Sequence, residues 1–228
     1  MISKIVLKLE PITLLGGAEL PEDGFSRALA LAPTVVAADG GAAHAVQHGC
    51  IPEAVIGDMD SLSGELKASL PDKAIHTIDE QDSTDFEKCL MRIGAPVVLG
   101  LGFLGGRLDH QLAALHTLLR FAEQRCVLLG HDELIFLCPP NLDLPLEKGT
   151  PVSLFPMSAV VARAQGLKWS FDALDLAPGQ RIGTSNEATG PLHLETDAPG
   201  LLCILPASCL EDVMGALLGS TGSWPARA

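Results

Sequence analysis

The chain has 228 residues, 47% of them hydrophobic and 19% charged, with a formal charge of −13. Such a composition supplies enough apolar surface for one large domain or two small ones and excludes a disordered chain. The acid excess, with no run of Lys or Arg, argues against a nucleic-acid partner, because a phosphate backbone is neutralised by clustered cations. No uninterrupted apolar segment approaches the roughly 20 residues of a membrane helix. The opening MISKIVLKLEPITLLGG lacks the apolar length and cleavage pattern of a signal peptide. Six cysteines (Cys50, Cys89, Cys126, Cys138, Cys203 and Cys209) are scattered without a C-x-x-C pair. They read as buried free thiols, and the expected location is the cytoplasm.

In chain order, ITLLGG, TVVAADGG, EAVIGDMDS, KAIHTID, APVVLGLG and RCVLLG each read as a buried strand that ends in Gly or Asp. Continuous Val/Ile/Leu runs suit strands covered on both faces. Between them GGAAHAVQHG, DFEKCLMRIG and DHQLAALHTLLRFAEQ read as helices. The last places Leu112, Leu115, Leu118, Leu119 and Ala122 at helical spacing. His44 and His48, one helical turn apart, belong to a surface helix face. The texture changes at CPPNLDLPLEKGTP, whose four prolines and Lys-Gly turn mark a boundary near residues 138–150. Beyond it VSLFPM, AVVARA, HLETD and LLCILP read as short strands, and an apolar helix follows at 210–218. The expected fold is α/β: a largely parallel α/β sheet domain over 1–140, then a small antiparallel β sandwich or barrel over 141–228.

Parallel sheets bind ligands at the carboxyl ends of their strands, and the acidic motifs fall there. ADGG puts Asp39 at a strand end, with Gly40 and Gly41 permitting close backbone approach. GDMDS sets Asp58 and Asp60 two residues apart; QDSTDFEK and GGRLDH follow, with Arg107, Asp109 and His110 in the latter. Each motif alone is an ordinary turn, helix cap or surface ion pair. Together they describe converging carboxylates, and two of these about 4 Å apart repel by roughly 4 kcal/mol at an effective dielectric near 20. Oxygen donors without Cys or His call for Mg²⁺, with Arg107 and Lys88 free to hold phosphate oxygens. The residues therefore point to a Mg-nucleotide site for phosphoryl-type transfer. A dinucleotide dehydrogenase is disfavoured, because Gly16-Gly17 and GLGFLGG do not supply G-x-G-x-x-G between strand and helix. A Walker P-loop is absent too.

ADGGA, GDMDS, DSTDFEK and GGRLDH, in that order, followed by GLKW, GTSNE and LETDAPGLL, resemble the thiamine pyrophosphokinase (thiamine diphosphokinase) family up to about Pro206. The resemblance implies pyrophosphate transfer from ATP to the thiamine hydroxyl, giving thiamine diphosphate and AMP. It also implies an α/β catalytic domain, a β-rich thiamine-binding domain, and a homodimer with shared active sites. On that basis Asp58, Asp60 and Asp85 would hold Mg²⁺ and, with Arg107, carry catalysis. Asp39, Gly40, Gly41, Lys88, Arg107, Asp109 and His110 would line the ATP site, with Asp82 behind the metal ligands or beside phosphate. Gln81, Trp169, Ser185 and Asn186 would meet thiamine, Gln81 across the dimer. Trp169 offers a flat face to a cationic aromatic ligand. Ser185 and Asn186 can hydrogen-bond an aminopyrimidine edge. A pyrophosphokinase for another alcohol such as a pterin, and a nucleotide- or thiamine-sensing module without catalysis, are the alternatives. The approach VVARAQGLKW and the tail beyond Pro206 fall outside the family pattern.

Overall fold

Short aliphatic runs alternate with helices through the first hundred residues of the computed structural model, which describes residues 2–226. The chain forms two units: one takes the residues up to Thr117 together with Leu128–His131, the other Leu118–Val127 and the residues from Asp132 onward.

In the first unit the elements run β1 (Val6–Leu7), β2 (Ile12–Leu15), α1 (Gly24–Leu31), β3 (Thr34–Ala38), α2 (Ala42–Gln47), β4 (Ala54–Gly57), α3 (Gly64–Ser69) and β5 (Ile75–Thr77). They continue with α4 (Asp85–Arg92), β6 (Ile93–Gly94), β7 (Val98–Leu101), α5 (Leu108–Arg120) and β8 (Cys126–Leu129), the last two shared with the second unit. The strand pairs are parallel: β3 with β4 (Val36 opposite Ala54), β4 with β5 (Val55 opposite Ile75), and β2 with β7 (Ile12 opposite Val98). All four residues of β2, β4 and β7 are buried. Burial on both faces is what their unbroken apolar runs require.

Three of the expected helices are shorter than the stretches that suggest them, α5 ending at Arg120. α4 stops at Arg92 because β-branched Ile93 turns extended and pairs with Val6, forming β6 against β1. α2 is preceded by a 3-10 turn over Asp39–Gly41, and Gly49, at φ +69°, follows its last turn. α1 and α3 are not among the helices read from the sequence, α3 being only six residues long. α3 is started by its cap: Ser63 Oγ accepts from Leu66 N at 3.2 Å.

The second unit contains β9 (Glu133–Leu137), β10 (Asn141–Leu144), β11 (Pro151–Pro156), β12 (Val160–Leu167), β13 (Phe171–Leu176), β14 (Gly183–Thr196), β15 (Leu201–Pro206) and α6 (Leu210–Gly219). Its described strand pairs are antiparallel. β14 joins two sheets: its first part pairs with β11, and its second part lies between β10 and β12. Alternation builds the core, with Leu142 and Leu144 inward while Asn141 and Asp143 face out. The flanking prolines hide this four-residue strand in the sequence. At Gly166, φ +85°, β12 bulges, and any Cβ there would collide with the Pro191 carbonyl.

The tail after α6 is pinned within this unit. The Arg125 guanidinium donates to the carbonyls of Leu217 (2.7 Å), Ser220 (2.7 Å) and Gly222 (2.9 Å), and Trp224 Nε1 donates to Cys138 O at 2.8 Å. A cation at the carboxyl end of α6 also opposes the negative end of its dipole. We expect Arg125→Met to lower the unfolding free energy by about 2 kcal/mol or more, read by urea denaturation. A value indistinguishable from wild type would refute the clamp.

On the outer face of the second sheet His193 lies opposite Asp143 (2.6 Å) and beside Glu195 (3.2 Å), and Arg163 joins Glu195 (3.6 Å) to Asp172 (2.8 Å). The two carboxylates, Asp143 foremost, raise the His193 pKa above 6.5. A raised folded-state pKa contributes stability that is fully present below the unfolded value and is lost as pH rises through the folded one. The stability difference between wild type and His193→Gln should therefore be largest below about pH 6.5 and shrink as pH rises above it. A difference that grows with pH would contradict the pairing.

Candidate active site

Two strand ends and one helix start meet in the first unit. β3 ends at Ala38 before Asp39, held at φ +40°, and β4 ends in Gly57 before Asp58, Met59 (φ +67°) and Asp60. Gly57 makes room for this: a Cβ there would lie 2.8 Å from Asp39 Cβ and 3.1 Å from Asp85 Oδ1. Asp85 opens α4, whose start is a capping box. Thr84 Oγ1 accepts from Glu87 N at 3.3 Å, and Thr84 N donates to Glu87 Oε2 at 3.2 Å.

Carboxylate oxygens of Asp39, Asp58 and Asp60 lie within 4.8 Å of one another. Asp39 is 2% exposed; its Oδ2 accepts from Ser61 N at 3.2 Å, while its buried Oδ1 has no partner among the described residues. Burial first, and then the charge of Asp85, push the Asp39 carboxyl up to about 6 against the Ser61 hydrogen bond. Asp60 Oδ1 accepts from Ser61 Oγ at 2.9 Å. Three neighbouring carboxylates, one of them buried with an unpartnered oxygen, are a donor set that could bind a metal, and all-oxygen donors fit a hard divalent cation.

Lys88 is 2% exposed, and its Nζ donates to Asp58 Oδ2 and Asp85 Oδ1, both at 3.1 Å. Burial alone pulls its pKa down, but the two carboxylates outweigh it and the net shift is upward. The same bond holds Asp58 below the usual carboxylate range. The ammonium thus faces carboxylates, where the sequence reading had it facing phosphate, and Asp85 joins the cluster through Lys88. Gln81 Nε2 reaches Asp58 Oδ2 at 3.3 Å. Asp82 offers its backbone N–H to Glu80 Oε2 at 2.9 Å, and Glu80 also accepts from Ser83 N (3.1 Å) and from Ser83 Oγ.

Beside the acids opens a cleft of about 660 Å³. Gly16, Gly40, Gly102, Gly105 and Gly106 bring backbone to its wall, with Asp39, Asp85, Arg107 and His110 among its side chains. Phe86 and Phe103 form an apolar wall, with ring centroids 4.3 Å apart. Arg107 is exposed and forks onto Asp109, with Nε at 3.1 Å and Nη2 at 2.6 Å. Gly41 lies against β2, where a side chain would strike the Leu15 carbonyl.

In the second unit Trp169 is 60% exposed, and Lys168 Nζ lies 5.0 Å from its ring centroid. Asn186 Oδ1 accepts from Trp169 N (3.2 Å) and Glu187 N (2.9 Å), and its Nδ2 donates to Trp169 O (3.1 Å). Ser185, at φ +63°, donates its backbone N–H to Ser153 Oγ at 3.0 Å.

Sequence reasoning passed over Glu80, Phe86 and Phe103. The Glu80–Ser83 spacing is a legible local capping signal, whereas the Phe86–Phe103 contact joins residues from separate elements and leaves no local trace.

Two family models match the chain: "Thiamin pyrophosphokinase, catalytic domain" over residues 25–129 and "Thiamin pyrophosphokinase, vitamin B1 binding domain" over residues 140–201. Thiamine pyrophosphokinase 1 of Oryza sativa subsp. japonica is 35% identical over 154 residues, covering 59% of this chain and 58% of the relative. Thiamin pyrophosphokinase 1 of Caenorhabditis elegans is 30% identical over 155 residues, covering 60% of this chain and 63% of the relative. The matched stretch therefore spans less than two thirds of either relative. Among solved structures, thiamin pyrophosphokinase from Candida albicans superposes with TM-score 0.74 at 15% identity, covering 88% of this chain and 93% of its own. That from Geobacillus thermodenitrificans gives 0.73 at 24%, covering 86% and 96%. These likenesses extend to the two-domain fold. With both domain models matched in order along one chain that carries this acidic site, the chain belongs to the thiamin pyrophosphokinase family.

Proposed function

We propose that the chain transfers the terminal pyrophosphate of ATP to the hydroxyethyl group of thiamine, giving thiamine diphosphate and AMP. The observation that carries this reading is the Asp39–Asp58–Asp60 cluster at parallel strand ends beside a glycine-walled cleft. The residues up to about 140 would bind ATP and the remainder thiamine, a division supported by the two family models.

Asp58 and Asp60, with Asp39 and the adjacent Asp85, would hold Mg²⁺, which supplies neutralising charge at the phosphate oxygens. The donor chemistry supports this, since Asp39 Oδ1 is buried without a partner among the described residues. Gly40, Gly41, Arg107, Asp109 and His110 are the proposed ATP contacts. Arg107 would exchange Asp109 for phosphate, because its fork suits either planar carboxylate or phosphate oxygens. Lys88 would orient Asp58 and Asp85, holding Asp58 below the usual carboxylate range, and so act on phosphate through them. Asp82 would stand behind the metal ligands or beside phosphate. Trp169 would stack on the cationic aromatic ligand, with Gln81 and Ser185 at its edges. The thiamine hydroxyl would give its proton to an aspartate of the cluster as it attacks the β-phosphorus, the bond to the α-phosphate oxygen would break, and AMP would leave.

With ATP, Mg²⁺ and thiamine the expected product is AMP, and Asp58→Asn should lower kcat about 100-fold. Formation of ADP, or turnover independent of thiamine, would sink the reading, and competition with a pterin alcohol tests the acceptor.

A homodimer with shared sites and a cytoplasmic location complete the proposal. The family resemblance supports the first; six free cysteines, five of them buried, support a reducing compartment. Sedimentation should give twice the chain mass, and full activity at the single-chain mass would overturn the dimer.

A further inference from the structure

Trp169 sits in the turn between β12 and β13 with most of its ring in solvent. An exposed indole on a turn has little packing to fix it. Here its backbone is gripped by one side chain. Asn186 accepts from Trp169 N through Oδ1 and donates to Trp169 O through Nδ2, so the amide matches residue 169 as a peptide of a neighbouring strand would. Glu187 N takes the second lone pair of Oδ1, which fills that oxygen. Around this bracket, Lys168 N donates to Glu187 O at 2.8 Å, and Ser170 Oγ closes the turn onto Leu167 N (3.1 Å) and O (2.7 Å). The left-handed backbone at Ser185, anchored on Ser153, precedes Asn186 and turns the strand into this position.

We propose that Asn186 is a positioning residue: it fixes the Trp169 platform through the backbone and acts on the ligand through that ring. Its oxygen, already doubly occupied, does not serve as an acceptor for the ligand. The bracing stands on the geometry of the second unit alone; the effect on ligand rests on the thiamine reading above.

The test separates the two. In a Trp224→Phe background Trp169 is the remaining tryptophan of the two in the chain. Time-resolved anisotropy without ligand should show more fast local motion in Asn186→Ala, and less of that increase in Asn186→Asp, which keeps both acceptor contacts. Unchanged local motion in Asn186→Ala overturns the bracing. With thiamine and ATP, Asn186→Ala should raise the KM for thiamine about ten-fold and leave that for ATP within about two-fold. In a Trp169→Ala background the same substitution should add nothing to the KM for thiamine. Additive effects overturn the proposal and make Asn186 a direct contact. If Trp169→Ala itself leaves thiamine KM unchanged, the stacking role of Trp169 fails, and the anisotropy still decides the bracing.

Discussion

Carboxylates brought to neighbouring loop ends repel one another, and Lys88, buried at 3.1 Å from both Asp58 and Asp85, is the interaction on which the rest of this site depends. It ties the loop after β4 to the first turn of α4. Both lie beside Asp39, whose own carboxyl is already pushed up by burial. A buried charge pair contributes little net stability when burial is set against attraction, but removing one partner leaves an uncompensated charge. The pair therefore fixes positions more than it strengthens the fold. The capping box at Thr84 and the Glu80 contacts hold the same loop from its other side, so Asp85 is set by backbone as well as by charge.

The second unit solves a different problem, that of holding a large exposed ring still. The alternating apolar residues of β10, β12 and β14 build a core that fixes the sheets, and β14 carries Ser185 and Asn186 into reach of the Trp169 turn. Rigidity at an exposed aromatic reduces the ordering cost of binding a flat ligand. Each unit commits a polar side chain to protein partners: Lys88 to two carboxylates, and Asn186 to the backbone of Trp169.

Much of the fold was legible because its signals are local. Aliphatic runs closed by Gly or Asp mark β2, β3, β4, β7 and β8, and helical spacing marks α5. Where a local signal was weak or contradicted, the reading missed. β10 is obscured by flanking prolines, β6 looks like the continuation of a helix, and α3 depends on a single serine cap. The site was legible as a list of acids at strand ends, but its internal pairing was not. Asp85 and Lys88 are one helical turn apart and their contact follows from spacing. Lys88 and Asp58 are 30 residues apart, and their contact follows from the packing of α4 on β4.

From its sequence alone this protein is an acidic two-part chain with carboxylate motifs at strand ends and a GLKW tryptophan, in an order that resembles one enzyme family. Residue type and spacing dictate that much, because strand runs, caps and turns are set by neighbours along the chain. Only the tertiary structure decided that Asp39, rather than Asp85, shares an oxygen cluster with Asp58 and Asp60. It likewise decided that Lys88 turns inward to carboxylates and that Asn186 grips a backbone. Those outcomes depend on which strands lie side by side and how deeply each charge is buried. Both are properties of the packed sheet, and no stretch of sequence carries them by itself.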